Sequence, residues 1–144
     1  MVARIIPVPP PPSEETGDLL MSVARSLRHR YGAALAAWEV TPGQSRALRI
    51  VVELGSARLS VIAERLRIAP RSATEVVDAL EARALVERRP DPDDRRATSV
   101  VPTVEGLRLH ALLEEARRKA ADDLFARLGP TDRAALDRIL TLLS

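Results

Sequence analysis

The sequence predicts a mainly α fold with a small β-hairpin: a winged helix-turn-helix set between helical N- and C-terminal segments. Three observations lead there. Apolar residues recur at steps of three and four from Leu20 to Trp38 and again beyond Thr103. Two short amphipathic segments meet at a tight turn before Pro70. Two short stretches with β-branched residues, 85–89 and 98–101, flank a polar run of prolines, aspartates and arginines.

Taken in order, residues 7–12 read PVPPPP, which has few backbone donors and favours an extended chain, so residues 1–17 are expected to form a proline-rich tail. Val23, Ala24, Leu27, Tyr31, Ala34, Leu35 and Trp38 make one stripe of a long helix over 19–40. Thr41, Pro42, Gly43 and Gln44 spell a capping box with proline at the first helical position, opening a second helix through Leu48, Val51 and Val52 that stops at Gly55. Ser60 is expected to cap a brief helix carrying Ile62, Ala63 and Leu66, and Ile68 and Ala69 lead to Pro70, which starts the next. There Ala73, Val76, Val77 and Leu80 form the buried stripe, with Arg71, Ser72, Glu75 and Asp78 outside and Thr74 at the border. The hairpin follows as a wing. Thr103 then opens a long helix bearing Leu107, Ala111, Leu113 and Leu124, and Gly129, Pro130 and Asp132 separate it from a last helix with Leu136, Ile139, Leu140 and Leu143.

A chain of 144 residues, 46% apolar, can close one core without disulfides or a structural metal, so residues 18–144 are expected to be a single domain. The absence of cysteine excludes thiol catalysis, cysteine redox sensing and cysteine-bearing zinc sites. No signal peptide and no apolar run of membrane length is visible, which points to a cytoplasmic protein with no membrane partner. Catalytic patterns are also missing. His29 and His110 lie far apart, there is no HExxH, GxSxG or P-loop, and the neighbouring carboxylates Glu114 and Glu115, or Asp122 and Asp123, diverge on a helix. The chain therefore reads as no enzyme, with no cofactor and no metal.

The net charge is only +2, and Lys119 is the one lysine, so the bases are arginines, which fork to phosphate or guanine. The excess lies between Gly43 and Pro102, with eleven bases against nine acids. In a helix-turn-helix the opening turn of the second helix enters the major groove of double-stranded DNA. That turn carries Pro70, Arg71, Ser72, Thr74 and Glu75: Arg71 suits a guanine edge, Ser72 and Thr74 a phosphate or base, and Glu75 the N4 amine of cytosine. Arg88, Arg89, Arg95 and Arg96 cluster on the wing, where arginines enter a minor groove or neutralise phosphates.

Residues 59–106, LSVIAERLRIAPRSATEVVDALEARALVERRPDPDDRRATSVVPTVEG, resemble the MarR family of bacterial winged-helix transcriptional regulators, and the likeness extends over 19–143. DPDDRRA is similar to the family's D-x-R wing signature, and PTVEG to its L-T-x-x-G helix opening. The resemblance implies a homodimer whose N- and C-terminal dimerisation helices, 19–40 and 103–144, intertwine and present two DNA-binding lobes, 41–102, to a pseudo-palindromic operator. It implies a recognition helix over 70–83, with Arg96 in the minor groove and Asp94 fixing the wing. It also implies action as a repressor and release by a small lipophilic or aromatic-acid effector, for which His29, Tyr31, Trp38 and Arg49 are the candidate pocket residues. Dimerisation has a physical motive as well, because the long terminal helices carry more apolar surface than a small lobe can cover. Four positions depart from the family pattern: Ala69 in place of a capping serine or threonine, Ala84 in place of glycine, Pro102 in place of leucine, and Glu75 where a base is common. Glu75 leaves open an alternative, a dimeric helical protein-interaction module or antirepressor without operator binding.

Overall fold

Helix α1 (Pro12–Leu35) opens the structure, a computed structural model that describes residues 12–144. It is followed by a 3-10 turn (Ala36–Trp38), α2 (Pro42–Leu54), β1 (Ala57–Arg58), α3 (Leu59–Leu66), α4 (Pro70–Ala82), β2 (Val86–Pro90), β3 (Thr98–Pro102), α5 (Val104–Phe125) and α6 (Pro130–Leu143). Most of the expected proline-rich tail lies outside the described residues. Its last part, 12–17, is the start of α1 instead, since proline is tolerated in a first helical turn, where its missing N–H has no carbonyl to meet.

The lobe is built on α2. Thr41 caps it through a bond from the Gln44 N–H (3.1 Å) while the Gln44 side chain accepts from the Thr41 N–H (3.1 Å), the reciprocal pair expected from TPGQ. Ala47, Leu48, Ile50 and Val51 then face a core completed by Ile62, Val77, Leu80, Val86, Val100 and Leu113. α2 packs against α3, α4 and α5, α3 and α4 pack against each other, and the sheet, ordered β1-β3-β2 and antiparallel throughout, meets α2 through β3 and β1. β2 and β3 are in register from Val86 opposite Pro102 to Pro90 opposite Thr98, with Glu87 facing Val101 and Arg88 facing Val100. Pro90 fits because β2 is an edge strand, where a missing donor costs no ladder bond.

Three local expectations are corrected. α1 ends at Leu35, because the chain tightens into the 3-10 turn and Glu39 takes a left-handed conformation (φ 54°). Ser60 does not cap α3: Arg58 is the cap residue, with no side-chain bond, and Ser60 is already inside the helix. The segment before α3 is a third strand, Ala57 and Arg58 pairing with Val100 and Ser99.

Two junctions fix α5 against the end of α4. Ala84 is left-handed (φ 56°), a conformation costing an alanine about 1 kcal/mol relative to glycine. Its carbonyl accepts from Thr103 Oγ1 (2.6 Å), and the Leu85 carbonyl accepts from the Thr103 N–H (3.1 Å). Thr103 also caps α5 by accepting from the Gly106 N–H (3.0 Å). Gly106 is required by proximity, since a Cβ there would stand 1.9 Å from the Leu85 carbonyl oxygen. α1 and α5 pack together beside the lobe. α6 has no buried residue and is held to α5 by Arg133, which lies 4.7 Å over the Phe125 ring and 3.7 Å from Asp122. Leu19, Leu20, Met21 and Val23 on α1, Leu107 and Leu112 on α5, and Ile139, Leu140, Leu142 and Leu143 on α6 are exposed. Among the described residues no helix is long and apolar enough to cross a membrane.

Candidate nucleic-acid interface

Arg67 in the left-handed conformation (φ 55°) ends α3, and its N–H bonds the Glu64 carbonyl at 3.1 Å, so the chain reverses within three residues and restarts at Pro70. Ala69 offers no side-chain cap, as expected from its lack of a polar atom, and the first turn of α4 faces solvent. Arg71 is 92% exposed and loosely paired with Glu75 at 3.4 Å one turn on. Ser72 is exposed, while Thr74 is half-buried and donates back to the Pro70 carbonyl (3.1 Å). Ala73, Val77 and Leu80 are buried and Val76 partly so, so the helix shows the predicted faces.

The wing turn is organised by Asp91, only 7% exposed. Its carboxylate accepts five bonds: from Arg58 Nε (2.9 Å) and Nη2 (3.1 Å), the N–H groups of Asp93 (2.9 Å) and Asp94 (3.0 Å), and Ser99 Oγ (2.5 Å). Arg58 and then Ser99 hold that carboxyl well below the usual carboxylate range, and this outweighs the opposing effect of burial. Asp94 accepts from the Arg96 N–H (2.9 Å), a local Asx-type bond within the tip. Sequence reasoning missed Asp91 and Arg58. An aspartate followed two and three residues later by free N–H groups is an Asx-turn signal, but the arginine comes from 33 residues earlier.

The four wing arginines divide. Arg95 and Arg96 are exposed at the tip and form no ion pair among the described residues. Arg89 is exposed and pairs with Glu87. Arg88 turns toward α4 and pairs with Asp78 and Glu81. Burial opposes its charge, and the bonds and attraction of those two acids outweigh burial, raising its pKa further. Arg65 in the last turn of α3 and Arg67 in the turn before α4, not singled out from the sequence, are also exposed.

The candidate effector residues do not converge as a group. His29 is exposed on α1, and Trp38 packs on the core with its carbonyl accepting from Arg83 (3.0 Å). Tyr31 and Arg49 do meet one cluster: Arg49 reaches a single oxygen, Oε1 of Glu114, through Nε (3.1 Å) and Nη2 (2.8 Å), Arg117 bonds the same oxygen (3.1 Å), and Arg117 lies 4.6 Å over the Tyr31 ring. Among the described residues no group of three histidines or carboxylates is placed to hold a metal ion.

The sequence model described as the MarR family matches residues 40–98. The chain is 25% identical over 135 residues to the uncharacterized HTH-type transcriptional regulator YsmB of Bacillus subtilis, covering 92% of each. It is 37% identical over 67 residues to the HTH-type transcriptional repressor MdtR of the same organism, covering 46% of this chain and 43% of that one. Its fold is similar to the crystal structure of the Mycobacterium tuberculosis MarR family protein Rv2887 in complex with DNA, with a TM-score of 0.79, 25% identity, and 89% of this chain and 96% of that one covered.

Proposed function

We infer that this chain, whose residues 40–98 belong to the MarR family of DNA-binding transcriptional regulators, works as a homodimer that represses transcription from a pseudo-palindromic operator. One observation carries the reading: the uncapped, exposed first turn of α4 stands in the same lobe as a hairpin tip whose Arg95 and Arg96 have no acidic partner among the described residues. In this reading α4 enters the major groove, Arg71 and Glu75 exchange their mutual pair for base edges, Ser72 meets phosphate, and Arg95 and Arg96 grip the flanking minor groove. The exposed apolar residues of α1 and α6 support burial against a second copy, which would set the two lobes about 10 base pairs apart. Residues 41–102 are then the DNA-binding lobe, and α1, α5 and α6 the dimerisation helices. The protein acts in the cytoplasm without a cofactor, metal or catalytic step.

Release by a small aromatic-acid or lipophilic effector is the finer part of the proposal. The junction of α1, α2 and α5 supports it, where two arginines share one Glu114 oxygen beside the Tyr31 ring.

The test is fluorescence anisotropy with the duplex upstream of the chain's own gene and with a promoter library, at several salt concentrations. Binding to a defined site, weakening steeply with salt, is the expected result. No site, or affinity independent of salt, would overturn the reading. Sedimentation of the free protein as a monomer at all concentrations would remove the dimer.

A further inference from the structure

All three acidic side chains of α4 have an arginine within reach. Glu75 has Arg71 on its own helix, but Asp78 and Glu81 are both served by Arg88, from the wing strand β2. Arg88 Nη2 donates to Asp78 Oδ1 at 2.5 Å, Nη1 donates to Glu81 Oε2, and the Arg88 backbone N–H donates to Glu81 Oε1 at 3.1 Å. Both ends of the guanidinium fork are committed and the side chain is 25% exposed. Arg88 therefore faces the helix, while Arg95 and Arg96 at the tip face outward. Without its guanidinium, α4 would present two carboxylates with no cation to a polyanion, and β2 would lose two of its three bonds to the helix, keeping the one from the Arg88 backbone N–H.

We propose that Arg88 is a positioning residue for DNA binding: it locks the wing strand to α4 and cancels Asp78 and Glu81, and it makes no phosphate contact of its own. This rests on the DNA-binding reading above. It parts Arg88 from the other wing arginines, with which the sequence groups it.

The experiment compares the full-length wild type with Arg88→Ala, Arg96→Ala and the triple variant Arg88→Ala/Asp78→Asn/Glu81→Gln. Affinity for one operator duplex is followed against salt, and amide hydrogen exchange is followed without DNA. Arg88→Ala is expected to weaken binding about tenfold with the wild-type salt slope, while Arg96→Ala lowers that slope by about one. Neutralising the two acids in the triple variant should restore affinity to within about threefold. Loss of about one unit of slope in Arg88→Ala, with no rescue in the triple variant, would instead make Arg88 a phosphate contact and overturn the proposal. Should Arg88→Ala fail to fold, Arg88→Lys decides: a phosphate contact tolerates lysine, whereas the two-carboxylate fork does not. The DNA-free arm stands by itself. Exchange at the β2 and β3 amides should quicken about tenfold in Arg88→Ala, and unchanged exchange would sink the clamp. A wild type that binds no duplex would count against the regulator reading, with the clamp still judged by exchange.

Discussion

Replacing Gly106 with alanine should destabilise the protein severely for so small a change. The new methyl carbon would lie 1.9 Å from the Leu85 carbonyl oxygen and 3.0 Å from its carbon, so the first turn of α5 must retreat by about 1 Å from a backbone segment with no rotamer to yield. That oxygen also accepts from the Thr103 N–H at 3.1 Å, and the neighbouring Ala84 carbonyl accepts from Thr103 Oγ1 at 2.6 Å. Overpacking costs about 1–3 kcal/mol and a weakened hydrogen bond about 1 kcal/mol, against a gain of up to about 1 kcal/mol from replacing glycine in a helix. The net loss is about 2 kcal/mol, or a midpoint lowered by roughly 4–8 °C for a chain of this size. Urea and thermal unfolding at fixed protein concentration would measure it, with Gly43→Ala as the control, since there the nearest atom is Thr41 Oγ1 at 3.9 Å. A Gly106→Ala protein as stable as the Gly43→Ala control would refute the close approach on which the α4–α5 junction depends.

Three further outcomes follow from the same geometry. Ala84→Gly should raise unfolding free energy by about 0.5–1 kcal/mol in urea denaturation, because φ is 56° and no Thr103 bond needs the methyl group. The Asp91 carboxyl is depressed in the folded state, so its contribution is complete above the unfolded value near 4 and is lost as pH falls below it; Asp91→Asn should remove this acid-side dependence and quicken exchange of the 92–98 amides at neutral pH. On a panel of operator variants, Arg71→Ala should relax preference at particular bases by about 1–3 kcal/mol, while Arg96→Ala should weaken all sequences alike.

Much of the lobe was legible because its signals are local. The capping box at Thr41 and Gln44 and the proline at the start of α4 each depend on a few neighbouring residues, and the structure has both, whereas Ala69 and Ala84 stood out only against the pattern of the family the sequence resembles. The faces of α4 followed from helical period alone. What escaped was set by partners distant in sequence. β1 is two residues long and exists only because β3 lies beside it. Asp91 reads as one more polar residue of the tip until Arg58 and Ser99 converge on it. Arg88 and Arg89 are adjacent in the chain, yet strand alternation turns the first to α4 and leaves the second exposed. Of the four residues that the resemblance offered for an effector, the structure brings Tyr31 and Arg49 to one cluster and leaves His29 and Trp38 apart from it.

The single Glu114 oxygen claimed by Arg49 from α2 and Arg117 from α5 has a consequence far from the hairpin. Arg117 shares α5 with Glu114, so Arg49 is the guanidinium that crosses from α2: any displacement of α2 along α5 must part Arg49 from that oxygen, while the Arg117 bond travels with its own helix.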